Sequence, residues 1–155
     1  MTRTNVSKPD VDVEKSDSTW GLLFSAWLIA TSATFGALFL SDVMGVAPCV
    51  LCWYQRIFMF PLVLVLAAGL FPLDARVVRY ALPLAAFGWL VSIFHLLLTW
   101  GYIPESVTPC AQGIPCSHVQ VEWFGFLTIP LLSALSFSAI GLALIVIYYK
   151  EKARK

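Results

Sequence analysis

Four long apolar runs constrain this chain more than anything else in it. They cover about residues 20–40, 50–70, 80–100 and 124–149. Each holds about 20 residues or more, and about 20 helical residues cross a 30 Å hydrocarbon core. The runs are continuous and do not alternate, so helices are expected rather than strands. A helix also satisfies its own backbone hydrogen bonds, which lipid cannot do. The expected fold is an all-α membrane protein, a single bundle of four transmembrane helices. Composition agrees: 59% of residues are hydrophobic and 12% charged, about half the charged share of a soluble chain.

The segments outside the runs follow from charge. Residues 1–19 mix Arg3, Lys8 and Lys15 with Asp10, Asp12, Glu14 and Asp17. They cannot bury a core, and a disordered tail is expected there. Residues 150–155 form a short basic tail. The first run is too long for the apolar part of a signal peptide, and no clear small-x-small cleavage site follows it, so it counts as a span. Pro61, Pro83 and Pro130 fall inside or near the ends of runs, where they should kink helices rather than end them. A net charge of +1, no basic stripe and no Gly-rich phosphate loop exclude nucleic acid as a partner.

Lys and Arg set the orientation. They occur in the first tail, at Arg76 and Arg79 between the second and third runs, and in the last tail. The segments Ser41–Cys49 and Gly101–Trp123 contain none. Both termini are therefore expected in the cytoplasm, with the cysteine-bearing segments facing outward. Trp20, Tyr80, Tyr148 and Tyr149 mark inner ends; Trp53, Trp100 and Trp123 mark outer ends. Trp27 and Trp89 lie inside spans as packing residues. Pro-Cys occurs twice, at 48–49 and 109–110, which is too little for an internal repeat.

The chemistry begins at Pro48-Cys-Val-Leu-Cys-Trp-Tyr-Gln-Arg56. If Pro48 opens a helix, Cys49 lies at its N-terminus, where the macrodipole favours a thiolate. Cys49, Cys52 and Arg56 are three and four residues apart and share one face. The arginine falls about one turn deeper, roughly 6 Å along the axis from Cys52. A thiol pair above a fixed positive charge suits electron transfer to a lipid-soluble, anion-forming acceptor. The same spacing also suits two small buried residues and a snorkelling arginine.

Cys110 and Cys116 form a second pair, in a loop closed by Pro109, Gly113 and Pro115. As a structural disulfide, a ring of about seven residues contributes only roughly 2 kcal/mol. A small exposed disulfide is better suited to exchange. All four cysteines fall on the outward side, an oxidising compartment in bacteria. A zinc site would need both pairs to converge and stay reduced, and no metal is expected. His95 is the only ionisable side chain inside the third run, which makes it a functional candidate. It can serve as a donor or proton carrier toward an acceptor, or simply hydrogen-bond a neighbouring helix. His118 and Glu122 read as solvated loop residues.

The 48–56 motif followed by Pro61, with Cys-x5-Cys followed by Phe124-Gly-Phe-Leu-Thr-Ile-Pro130, resembles the bacterial disulfide bond formation protein B (DsbB) family. The resemblance covers about residues 20–149. The short Cys-x5-Cys loop is most similar to the BdbC-type branch; the better-known DsbB branch has a much longer segment there. The resemblance implies a four-helix enzyme in the bacterial cytoplasmic membrane. It would oxidise an extracytoplasmic thioredoxin-like protein of the DsbA or BdbD kind and pass the electrons to a quinone, menaquinone or ubiquinone. It further implies that Cys49 and Cys52 are the membrane-side redox pair, with Cys52 the thiolate facing the quinone and Arg56 beside it. Cys110 and Cys116 would be the pair that exchanges with the partner, Cys110 being attacked first. Two other readings compete. A vitamin K epoxide reductase-like enzyme would carry its quinone-side Cys-x-x-Cys late, in the last span of the core, not at the start of the second. A four-span scaffold would use disulfides only to tie its loops.

Overall fold

A computed structural model describes residues 9–71, 74–104, 122–123 and 127–153. Helix α1 runs from Pro9 to Leu38 and loosens into a π-helical turn at Phe39–Val43. Helix α2 covers Val50–Leu70. A 3-10 turn, Ala75–Val77, leads into α3, Val78–Thr99. Two short strands, β1 (Glu122–Trp123) and β2 (Leu127–Thr128), pair antiparallel ahead of α4, Ile129–Lys152. Four helical stretches are long and apolar enough to cross a membrane: Ser18–Val43, Val50–Leu70, Ala75–Thr99 and Ile129–Lys152.

The helices form a ring in which α1 packs on α2 and α4, and α3 closes the other side against the same two. The inward residues recur every three or four positions, as one helix face requires. Leu23, Ala26 and Ala30 face inward from α1, and Met59, Leu62, Leu66 and Leu70 from α2. Val78, Ala81 and Ala85 do so from α3, and Phe137, Ile140, Leu144 and Ile147 from α4. Small residues on α1 and α3 meet large ones on α4, which lets the axes approach closely. The seam is tightest at Gly88, where an added Cβ would overlap the Phe137 ring. Trp89 Nε1 donates to Ser138 Oγ at 2.9 Å, and the hydroxyls of Ser92 and Ser133 lie 3.0 Å apart, so α3 and α4 are also joined by polar contacts. The outward positions Phe35, Leu64, Phe87 and Leu142 are apolar and exposed, as surfaces turned toward lipid are.

Three sequence expectations shift. Residues 9–19, expected as a disordered tail, are helical here; residues 1–8 lie outside the described residues. Extending an existing helix costs far less than nucleating one, and proline suits a first turn. The fourth helix starts at Ile129, not at residue 124, because β1 and β2 pair just before it and Pro130 takes one of its first two positions. Pro48 does not open α2: Cys49 is the N-cap, so Pro48 lies one residue outside. Pro61 and Pro83 lie inside α2 and α3, which continue through them as expected.

Candidate active site

The site is built where α1 ends and α2 begins. After the π turn the chain reverses through Gly45, at φ 68°, a conformation open to glycine at no steric cost. Extended backbone at Cys49 (φ −70°, ψ 169°) then places its side chain over the first turn of α2, where Sγ accepts from Cys52 N–H at 3.3 Å. The helix N-terminus thus lends its unpaired donors and positive dipole end to the first sulfur of the pair.

Both cysteines are free thiols here, with sulfurs 2.8 Å apart. Cys49 is buried and Cys52 half-buried. The hydrogen bond from Cys52 holds the Cys49 thiol well below its usual range. Burial opposes this, and His95 and the Cys52 N–H reinforce it. The stabilising contacts therefore converge on Cys49 in the reduced pair. The motif-based assignment puts the thiolate on Cys52 instead.

His95 reaches this pair from α3. It is buried, and its Nδ1 lies 3.2 Å from Nε2 of the buried Gln55. The Gln55 amide nitrogen faces Nδ1, which leaves Nε2 turned toward Cys49 Sγ, 3.8 Å away. His95 thus hydrogen-bonds a neighbouring helix, one of the two readings its sequence position allows, and it also faces Cys49.

Arg56 lies one turn past Cys52 and leans toward α1. Its guanidinium donates to the Ala37 carbonyl at 2.9 Å and to Ser41 Oγ at 3.3 Å, and stacks over Trp53 at 5.4 Å. The contacts fall where α1 loosens into its π turn, and such turns often mark functional sites. No carboxylate among the described residues pairs with it directly; Ser41 Oγ stands between it and Asp42 Oδ1, donating to the latter at 3.5 Å.

These groups share the wall of one cavity of about 570 Å³, within the range of sites for small organic ligands. Its room comes from small α1 residues, Ser32, Ala33, Gly36 and Ala37, and its apolar lining includes Met59 and Phe60. Leu28 and Leu132, on α1 and α4, also line it and are exposed, which puts its mouth between those helices. Thr34 lines it too; its Oγ1 is buried without a hydrogen-bond partner among the described residues.

Of the six residues singled out from sequence, the structure brings Cys49, Cys52, Arg56 and His95 together. Cys110 and Cys116 lie outside the described residues, as does His118. Sequence reasoning missed Gln55, Thr34 and Ser41. Gln55 carried a usable signal: an amide inside an apolar span must find a partner. Thr34 and Ser41 carried none, because small hydroxyls often bond their own helix.

The family model described as disulfide bond formation protein DsbB matches residues 17–147. A probable disulfide formation protein of Metapseudomonas resinovorans is 45% identical over 135 residues, covering 86% of this chain and 94% of that protein. Disulfide bond formation protein C of Bacillus subtilis is 43% identical over 118 residues, covering 76% and 86%. A probable disulfide formation protein C 1 of Bacillus anthracis is 38% identical over 125 residues, covering 81% and 90%. No solved structure is significantly similar.

Proposed function

The chain belongs to the DsbB family of disulfide bond formation proteins, and from that premise we propose that it is a quinone-dependent thiol oxidase which reoxidises an extracytoplasmic thioredoxin-like dithiol protein. The observation that carries this is the convergence of Cys49, Cys52, Arg56 and His95 on one apolar cavity among membrane-crossing helices. The cysteine loops face outward from the bacterial cytoplasmic membrane, both termini inward, as the Lys/Arg distribution argues.

In the proposed reaction a partner thiolate attacks Cys110 Sγ, the Cys110–Cys116 bond breaks, and Cys116 leaves as a thiolate. The partner's second thiolate then attacks its own sulfur in that mixed disulfide, releasing Cys110 and leaving the partner oxidised. Cys116 attacks Cys49 of the Cys49–Cys52 disulfide, and Cys52 carries away the electron pair. Cys110 attacks Cys116, closing the loop disulfide again and freeing Cys49. Each step is thiolate attack on a disulfide sulfur. Two electrons end on the Cys49–Cys52 pair, where the α2 N-terminus and His95 stabilise charge on Cys49.

A quinone fits the cavity by its size and its apolar walls. Bound there, it would supply the two-electron, two-proton acceptor that restores the Cys49–Cys52 disulfide. Arg56 holds a permanent positive charge on that wall, since guanidinium does not deprotonate in proteins. The His95 ring, held by Gln55, stands beside Cys49. The test is the redox state of the four cysteines in cells with and without respiratory quinone. Thiols should accumulate without it; cysteines that stay oxidised would indicate a scaffold with structural disulfides.

Two further outcomes are expected. In intact, reduced cells a membrane-impermeant thiol reagent should label Cys110 and Cys116. Labelling that requires opening the inner face would reverse the orientation and remove the oxidase reading. Cys116→Ala should trap a mixed disulfide between Cys110 and the thioredoxin-like partner, visible on a non-reducing gel. Trapping by Cys110→Ala instead would exchange the roles of the two loop cysteines.

A further inference from the structure

We propose that the reduced site is also a binding site for a thiophilic d10 cation of the zinc and cadmium class, held by Cys49, Cys52 and His95. The ligand atoms of these three residues all lie within 4.8 Å of one another. Soft thiolates with one imidazole are the donor set such ions select. Metal–sulfur bonds of about 2.3 Å in a tetrahedral site require sulfurs about 3.8 Å apart. The thiols here are 2.8 Å apart, so they must open by about 1 Å, within reach of a χ1 adjustment at the half-buried Cys52. The 3.8 Å between His95 Nε2 and Cys49 Sγ already matches the ligand–ligand edge of such a site.

Gln55 supplies the outer support that metal-bound histidines usually have. Its amide is ambidextrous: turned over, Oε1 accepts from an Nδ1–H and leaves the Nε2 lone pair for the cation. The fourth position opens on the cavity and is free for water. Two thiolates balance a divalent charge, and the guanidinium of Arg56 is drawn aside by Ala37 and Ser41. Binding displaces whatever thiol protons the reduced pair still holds and transfers no electrons. It is confined to the reduced protein, because a disulfide offers no thiolate. The ion would therefore capture the enzyme after it has accepted electrons and block the cavity.

The inference does not depend on the identity of the electron acceptor, and it is tested by binding rather than turnover. The full chain in detergent, with Cys110→Ser and Cys116→Ser to remove the other pair, is reduced and titrated with cadmium. The readout is the ultraviolet thiolate-to-cadmium charge-transfer band. One equivalent should bind with the intensity of two thiolates, and the oxidised protein should give no band. His95→Gln, which keeps a polar group in the buried position, should weaken cadmium at least about tenfold while keeping the two-thiolate band. Gln55→Met should weaken it by about tenfold or more, as loss of an outer-shell partner does. An affinity unchanged in His95→Gln would reduce the site to a simple dithiol and overturn the three-ligand proposal. So would a full band in Cys52→Ser, or no stoichiometric band in the reduced protein.

Discussion

Arg56→Met should leave a folded, inserted protein whose turnover with a soluble quinone is lower by on the order of a hundredfold or more. Methionine is tolerated at membrane depth at least as well as a charge, and it keeps an unbranched apolar stem. The Ala37 carbonyl and the Ser41 hydroxyl lose a donor, but Ser41 keeps its contacts with the carbonyls of Ala37 and Leu38. What disappears is the positive charge on the cavity wall. Loss of one preorganised electrostatic contact typically costs about 3–4 kcal/mol of barrier. Exchange between partner and loop cysteines should continue, because it needs no charge in the cavity. Arg56→Lys should recover only part of the rate, since a flexible point charge cannot reproduce a fork that spans two acceptors. Ser41→Ala separates clasp from charge: it removes one hydrogen bond, keeps the guanidinium, and should change turnover little. Unchanged quinone turnover in Arg56→Met would show that the arginine only ties α2 to the end of α1.

Gly88→Ala should be the most damaging single methyl addition among the described helices. The new Cβ overlaps the Phe137 ring, which is fully buried and backed by the rest of the core. The ring cannot swing into solvent, so α3 and α4 must separate. That separation strains the Trp89–Ser138 and Ser92–Ser133 contacts, which share the same seam. Overpacking of this kind costs about 1–3 kcal/mol, readable as a shift in the unfolding midpoint in mixed micelles. Phe137→Leu in the Gly88→Ala background should recover much of the loss, a coupling expected of residues in direct contact. Equal stability of Gly88→Ala and the parent would show that the seam has slack. Because His95 rides on α3 two turns beyond Gly88, the cavity should widen as the seam does, and quinone turnover should fall along with stability.

Helix ends were legible only where backbone chemistry marks them. The start of α2 could be placed to within a residue or two, because Pro48 and the cysteine spacing both point to a helix N-terminus. The start of α4 was placed five residues early. Phe124–Thr128 is as apolar as the helix it precedes, and composition does not reveal that residues 122–123 and 127–128 pair with each other. The helical stretch before Ser18 was also missed, since polar residues give no burial signal even where a helix simply continues.

The candidate site shows the same division more sharply. Cys49, Cys52 and Arg56 lie within eight residues, so helical geometry alone puts them on one face. His95 could be flagged from sequence as an ionisable group inside a span, but not assigned a partner. Helix α3 is apolar on nearly every side, so no periodicity in its sequence says which way the histidine turns.

The sequence by itself therefore determined the number of spans, the helical class, the thiol pair and its arginine, because bilayer thickness and the helical repeat act on local stretches of chain. Only the tertiary structure decided that Gln55 holds the His95 ring against Cys49, that Arg56 clasps the end of α1 and its π turn, and that small α1 residues leave a cavity beside all of them. Those features depend on the rotation of each helix about its axis. That rotation is set by how small and large side chains interlock across the ring, and no single stretch of the chain contains it.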